Sequence, residues 1–176
     1  HGGALVSGGG EHTWFRNGVH RGICALRSEN VSIGAGMTGD PEGEFDGAKT
    51  ILLLGGRLAV IRRDDIDGIA YPGRLDLPGG GREWGETPVA CALRELHEEL
   101  GLWLRPDELS WRRFYTIPTR AWFFAAALPG TQAAEVRFGN EGQGWFLMPP
   151  EDFAASGEAV PHFRPRVLEG VAALRM

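Results

Sequence analysis

Apolar residues recur at three- and four-residue steps at Val89, Ala92, Leu93, Leu96 and Leu100, the spacing of one buried helical stripe. Thr87 stands where an N-cap belongs, Pro88 suits the first turn, and Gly101 can take the left-handed C-cap. Around this predicted helix the pattern changes to short apolar runs broken by turn residues. Residues 50–54 and 57–62 flank Gly55-Gly56 and read as a β-hairpin. Residues 75–77 form a short strand that leads into glycines 79–81, where backbone can approach a ligand closely. Two further strands are expected at 110–117 and 120–128, a short one at 135–138, and a last one at 145–148. Residues 149–153 open a turn or short helix, and Val167, Val171 and Leu174 mark a closing helix over 166–174. Strands flanking one strong helix, with a second helix at the end, predict an α/β fold with a mixed sheet covered on two faces.

Residues 1–47 break this regularity. They hold twelve of the 27 glycines and no amphipathic period, so they read as a flexible, turn-rich segment preceding a domain at 48–176. The first residue is His1, and Met37 is a possible start from which a complete small domain would follow. The other reading is a native extension in which residues 22–33 add an edge strand.

Net charge is −5, which gives no global basic field for a nucleic-acid polymer. Of the 18 basic residues, Lys49 alone is lysine. Cys24 and Cys91 are too few for a disulfide framework or a metal knuckle, and a reducing cytoplasmic setting is expected. The longest apolar run, 121–128, is far too short to span a bilayer, and no secretory signal is legible. A monomer or homodimer without membrane partners is the expectation.

The predicted helix also places Glu95, Glu98 and Glu99 together, about 130° from the apolar stripe at 100° per residue. Three carboxylates in one turn repel unless something neutralises them. They form either a solvated acidic face or a divalent-cation site of hard oxygen ligands, and helical geometry alone leaves both readings open.

The longer string runs Gly80, five residues, Glu86, seven residues, Arg94-Glu95-Leu96, one residue, Glu98-Glu99, one residue, Gly101-Leu102. It resembles the Nudix hydrolase signature at every defining position. Segments 60–63, 75–80 and 85–88, together with Asn140-Glu141-Gly142-Gln143, resemble the MutT-like branch, which converts nucleoside triphosphates to monophosphate and pyrophosphate. The resemblance covers about 49–176 and implies an α/β/α sandwich with a mixed sheet and a catalytic turn-helix. It implies Mg²⁺, or Mn²⁺, held by Glu95, Glu98, Glu99, Glu141 and the backbone carbonyl of Gly79. It pairs Arg94 with Glu86 to orient the helix and makes Glu95 or Glu141 the base for water attack at phosphorus. Arg62, Arg63 and Gly80 are the candidate phosphate contacts. Phe124, with Trp122, Phe123 and Tyr71, could stack on a base, and His162 could read its edge. Two departures stand out. Gly81 occupies a position where the branch has lysine, and residues 160–165 lack its base-reading asparagine.

The expected activity is therefore Mg²⁺-dependent cleavage of a phosphoanhydride in a nucleoside diphosphate derivative, first of all a (d)NTP. The alternatives are an ADP-ribose or nucleotide-sugar hydrolase and, in another class, a silent nucleotide-sensing module. Against the last, every carboxylate the chemistry needs is present.

Overall fold

The computed structural model describes residues 43–175. The proposed edge strand at 22–33, and most of the segment 1–47, lie outside the described residues.

Gly55 and Gly56 both take positive φ, 58° and 83°, as a two-residue hairpin turn requires. They join β1 (Gly47–Leu54) to β2 (Arg57–Arg62), with Leu54 opposite Arg57. β1 starts earlier than its apolar run and is buried along its whole length, because it has partners at every position. Its first residues pair antiparallel with β4 (Gly79–Gly81), its end pairs with β2, and all eight residues run parallel to β6 (Ala121–Leu128). The remaining strands are β3 (Leu75–Asp76) and β7 (Gly144–Met148), both against β2, and β5 (Trp111–Tyr115) against β6. The mixed sheet has the order β3-β2-β1-β6-β5, with β4 on β1 and β7 on β2.

Alternation along the central strands sends side chains to two cores. Ile51, Leu53, Leu58, Val60, Phe123 and Ala125 pack with Phe153, Phe163, Val167 and Val171 of α2 (Pro150–Ala155) and α3 (Phe163–Leu174). Leu52, Leu54, Ala59, Ile61 and Ala126 face the other way, against Leu96 and Leu100 of α1 (Pro88–Leu100). Ala48, Trp122 and Phe124 continue that face against Cys91 and Ala92. The result is the expected α/β/α sandwich. Among the described residues no helix is long and apolar enough to cross a membrane.

Residues 135–138 do not form the expected strand. They follow a 3₁₀ turn, Gly130–Ala134, and their backbone goes to the end of α1 instead of a sheet edge. Arg137 N–H donates to Leu100 O at 2.8 Å and Gly139 N–H to Glu99 O at 2.9 Å, satisfying carbonyls that a helix end leaves open. A side chain at Gly139 would meet Glu98 O, so this docking requires glycine. The closing helix starts at Phe163, three residues before its periodic pattern becomes legible.

Candidate active site

The orientation of α1 follows from its caps and its stripe. The Thr87 hydroxyl accepts from Ala90 N–H at 3.2 Å, and Gly101, at φ 70°, returns its N–H to His97 O. Cys91, Ala92, Leu96 and Leu100 are buried, and full burial of each leucine contributes about 1.5–3 kcal/mol. That stripe fixes the rotation of the helix and turns Glu95 and Glu99 toward the glycine turn, with Glu98 beside them at the surface.

Arg94 gathers this face. Its Nε and Nη2 hold both oxygens of Glu86, at 2.7 and 3.0 Å, in the bidentate geometry that arginine favours. Nη1 donates to Glu95 at 2.8 Å and to Glu98 at 2.9 Å, and Nη2 also reaches Gly81 O at 2.8 Å. The expected Arg94–Glu86 pair is therefore a clamp between the helix and the turn, not a loose surface pair. Burial acts to raise the Glu86 carboxyl, but the Arg94 hydrogen bonds and charge outweigh it and hold it below its ordinary range.

The turn is shaped around the carboxylates. Gly79 sits at φ 129°, and a Cβ there would strike Ala48 O. A Cβ on Gly80 would come within 2.6 Å of the Glu95 carboxylate. Gly79 N–H donates to Glu99 Oε2 at 2.7 Å. Burial pushes the Glu99 carboxyl up to about 8, against the opposing pull of Lys49 and the Gly79 N–H. Glu95 is also raised by burial, with Arg94 opposing. Among the described residues, no three carboxylate, histidine or cysteine side chains converge as a ready-made cage. Glu95 and Glu98 spend oxygens on Arg94, and Glu99 spends one on Gly79. The available donors are nonetheless hard oxygens beside an enclosed carboxyl that a cation would relieve. That set fits Mg²⁺, which takes few protein carboxylates and completes its shell with water and substrate oxygen.

Glu141 is exposed on a loop moored at both ends. Gly139 ties one end to Glu99 O. At the other, Gln143 donates through its backbone to Arg62 O at 2.8 Å and through its side chain to Arg63 O at 2.7 Å, while Gly142 N–H donates to Asp64. The loop thus bridges the end of α1 and the end of β2. Arg62, the last residue of β2, and Arg63, just past it, diverge. Arg62 bonds Gly73 O and Glu158, whereas Arg63 turns inward to Asp76 Oδ2 at 2.6 Å and leaves its buried Nε without a partner.

His162 lies half-buried between Tyr71, 5.7 Å away, and Phe163, 4.5 Å away. Burial first, then Arg166 and Lys49, lower its pKa to about 4 against the pull of Asp76, so at neutral pH it offers one donor and one acceptor. Phe124 is a correction. It is 1% exposed and packed beside Trp122 and Cys91 under α1, so it offers no stacking face. Both faces of β6 are covered by helices, and Trp122 and Phe123 are equally enclosed. Of the four aromatics proposed for stacking, only Tyr71 is open.

Three residues at this end escaped the sequence reading. Lys49 and Asp76 are 8% and 3% exposed, and Lys49 Nζ donates to Asp76 Oδ2 and Leu77 O, both at 3.0 Å, and to Gly79 O. Arg166 is enclosed between the rings of Tyr115 and Phe123, donating to Ile117 O. One signal was available for the first: a lone lysine in a strand otherwise apolar enough to be central.

A family model described as NUDIX domain matches residues 45–168. The chain belongs to the Nudix family. This Nudix domain is 33% identical over 96 residues to an RNA pyrophosphohydrolase from Gluconobacter oxydans, covering 53% of this chain and 49% of that protein. It is 36% identical over 81 residues to an 8-oxo-dGTP diphosphatase from Haemophilus influenzae, covering 46% of this chain and 59% of that protein. The matches thus span only about half the length of these relatives. Among solved structures, a MutT protein from Methanosarcina mazei Go1 superposes with a TM-score of 0.60 at 16% identity, covering 75% of this chain and 96% of that one. At that identity the likeness speaks for the Nudix fold alone.

Proposed function

We propose that this Nudix domain is a divalent-cation-dependent hydrolase of phosphoanhydride bonds in nucleoside diphosphate derivatives. Its first substrate class is (d)NTPs, cleaved with water to the monophosphate and pyrophosphate. The observation that carries the reading is the set Glu95, Glu98 and Glu99 on one turn of α1, the first two held by Arg94 and the third by the Gly79 N–H, beside a turn where a side chain at Gly79 or Gly80 would collide.

Glu95, Glu98 and Glu99 would hold Mg²⁺ or Mn²⁺, with Glu141 available from its loop; the Gly79 carbonyl, the further ligand proposed for such an ion, already accepts from Lys49. When bound, the cation supplies charge neutralisation and a more acidic water. The chain's own residues do the positioning. Arg94 keeps two glutamates in place, and the bare backbone of Gly80 lets the Glu95 carboxylate lie directly against the turn. Neutral His162 and the open ring of Tyr71 are the contacts proposed for the base. Glu95 and Glu141 are the two acceptors proposed for the proton of the attacking water, and single Glu→Gln variants at each separate them.

The relatives named above act on an RNA and on an oxidised nucleotide, so the test is a substrate panel with products identified. It includes dNTPs, 8-oxo-dGTP, triphosphate-ended RNA, ADP-ribose and nucleotide sugars. Release of monophosphate and pyrophosphate from a (d)NTP, only with Mg²⁺ or Mn²⁺, supports the reading. Turnover confined to ADP-ribose or nucleotide sugars replaces the substrate class. Nucleotide binding without turnover under every condition makes the domain a sensor.

A further inference from the structure

The chain's only lysine sits inside its central strand. Lys49 lies on β1, and the β1–β4 register places it directly opposite Gly79. An ammonium has three protons to place, and here each has an acceptor: Asp76 Oδ2, Leu77 O and Gly79 O. Two of these three acceptors are backbone carbonyls of the segment that feeds the glycine turn. The position is therefore fixed by sheet register and by a buried carboxylate, not by a surface rotamer.

Gly79 joins this ammonium to the acidic face. Its carbonyl accepts from Lys49, while its N–H donates to Glu99 Oε2. The positive charge of Lys49 acts on both Glu95 and Glu99. Arg94 attends to Glu95 and Glu98 from the other side. Glu95 thus meets both resident cations, Glu98 one and Glu99 the other, and the Gly79 carbonyl, one of the proposed divalent-cation ligands, already accepts from an ammonium.

From this geometry we infer that Lys49 is a built-in monovalent cation at the Gly79 carbonyl, standing in for one divalent ion, so that the domain binds one ion fewer than its carboxylates could support. The inference rests on the metal-site reading above. A divalent ion on that carbonyl would share it with an ammonium held by two further bonds, and like charges that close repel strongly where water is scarce. Substitution should leave Asp76 compensated, because Arg63 donates to the same carboxylate at 2.6 Å.

The test counts ions without turnover. Full-length protein is titrated with Mn²⁺ in the absence of nucleotide, and free Mn²⁺ is followed by electron paramagnetic resonance. The proteins compared are wild type, K49M, K49Q and K49R. K49M and K49Q should each bind one more Mn²⁺ per chain than wild type, and K49R, which keeps the charge, should not. K49Q retains a donor and so separates charge from hydrogen bonding; thermal melting checks that each variant is folded, and K49Q decides if K49M is not. If wild type binds Mn²⁺ and the folded variants bind the same number or fewer, the inference about Lys49 fails alone. If no protein in the series binds Mn²⁺, the metal-site reading fails and takes the inference with it.

Discussion

Gly79 divides two charged neighbourhoods that are built in different ways. On its α1 side, Glu86, Arg94, Glu95, Glu98 and Glu99 come from one turn and one helix, within 14 positions of each other, and Glu98 remains open to solvent. Arg94 links Glu86, Glu95 and Glu98 through four hydrogen bonds to carboxylate oxygens and also donates to Gly81 O, while Glu99 accepts from Gly79 N–H. On its β1 side, Lys49 comes from β1, Asp76 from β3 and Arg63 from just past β2, with Lys49 and Asp76 enclosed and Asp76 accepting from both cations. The first cluster is local, adjustable and suited to recruiting a cation. The second is fixed by sheet register and sealed, which suits it to setting the shape and charge of what the first can recruit. A sealed cluster is also the less forgiving one, since a buried charge that loses its partner costs far more than an exposed one.

The sharpest way to break this division is at the residue that joins its halves. Gly79→Ala puts a Cβ against Ala48 O at a φ of 129°, a conformation glycine alone adopts readily. Backbone strain of that kind costs about 1–3 kcal/mol, and the collision with β1 adds to it. Activity should vanish and the melting temperature should fall, as measured by turnover and calorimetry on the same preparation. Wild-type stability in this variant would mean that the turn is not wedged against β1 as described.

Arg94→Lys tests the open cluster alone. It retains the charge but loses the fork that holds Glu86 bidentately, a change that is not conservative at such a site. Activity should drop about 10–100-fold, the usual scale for removing a group that orients ligands, with a smaller change in melting temperature than in Gly79→Ala. An equal loss of stability in both variants would erase the distinction between an adjustable and a sealed cluster.

The smallest effect is expected at His162, at the edge of the sealed side. Its pKa is depressed in the folded chain to about 4 from an ordinary 6.5. The unfolded chain therefore takes up the proton first as pH falls. Its stability contribution is complete above about pH 6.5 and is lost progressively toward pH 4. Melting temperatures of wild type and His162→Asn across pH 7 to 4.5 should diverge least at low pH. Parallel curves would show that the imidazole is not held neutral by its surroundings.

The same division explains what could be read from sequence. The α1 cluster was legible because its parts are set by helical period, caps and fixed spacing, all of which lie within a short window. The hairpin at Gly55-Gly56 was legible for the same reason, since its turn chemistry is local. The Lys49–Asp76–Arg63 cluster was not, because the pairing of β1 with β4 and of β2 with β3 brings it together across 27 and 13 positions. Phe124 failed for a related reason. Alternation identifies two faces of β6 but not whether a helix covers each, and here both are covered. Residues 135–138 had the composition of a strand, yet the open carbonyls at the end of α1 offered their backbone a nearer set of partners than a sheet edge.

The most direct measurement is hydrolysis of the best panel substrate by wild type and Glu98→Gln, as a function of Mg²⁺ and with folding verified by melting. Glu98 is the most exposed of the three helix glutamates, so its substitution disturbs packing least while removing one proposed cation ligand. The expected result is a fall in turnover of roughly 10²–10³-fold, the scale of losing one group that stabilises transition-state charge, with near-native melting and a weaker response to Mg²⁺. Wild-type turnover with unchanged Mg²⁺ dependence in Glu98→Gln would contradict the assignment of this helix as the cation-binding, catalytic element.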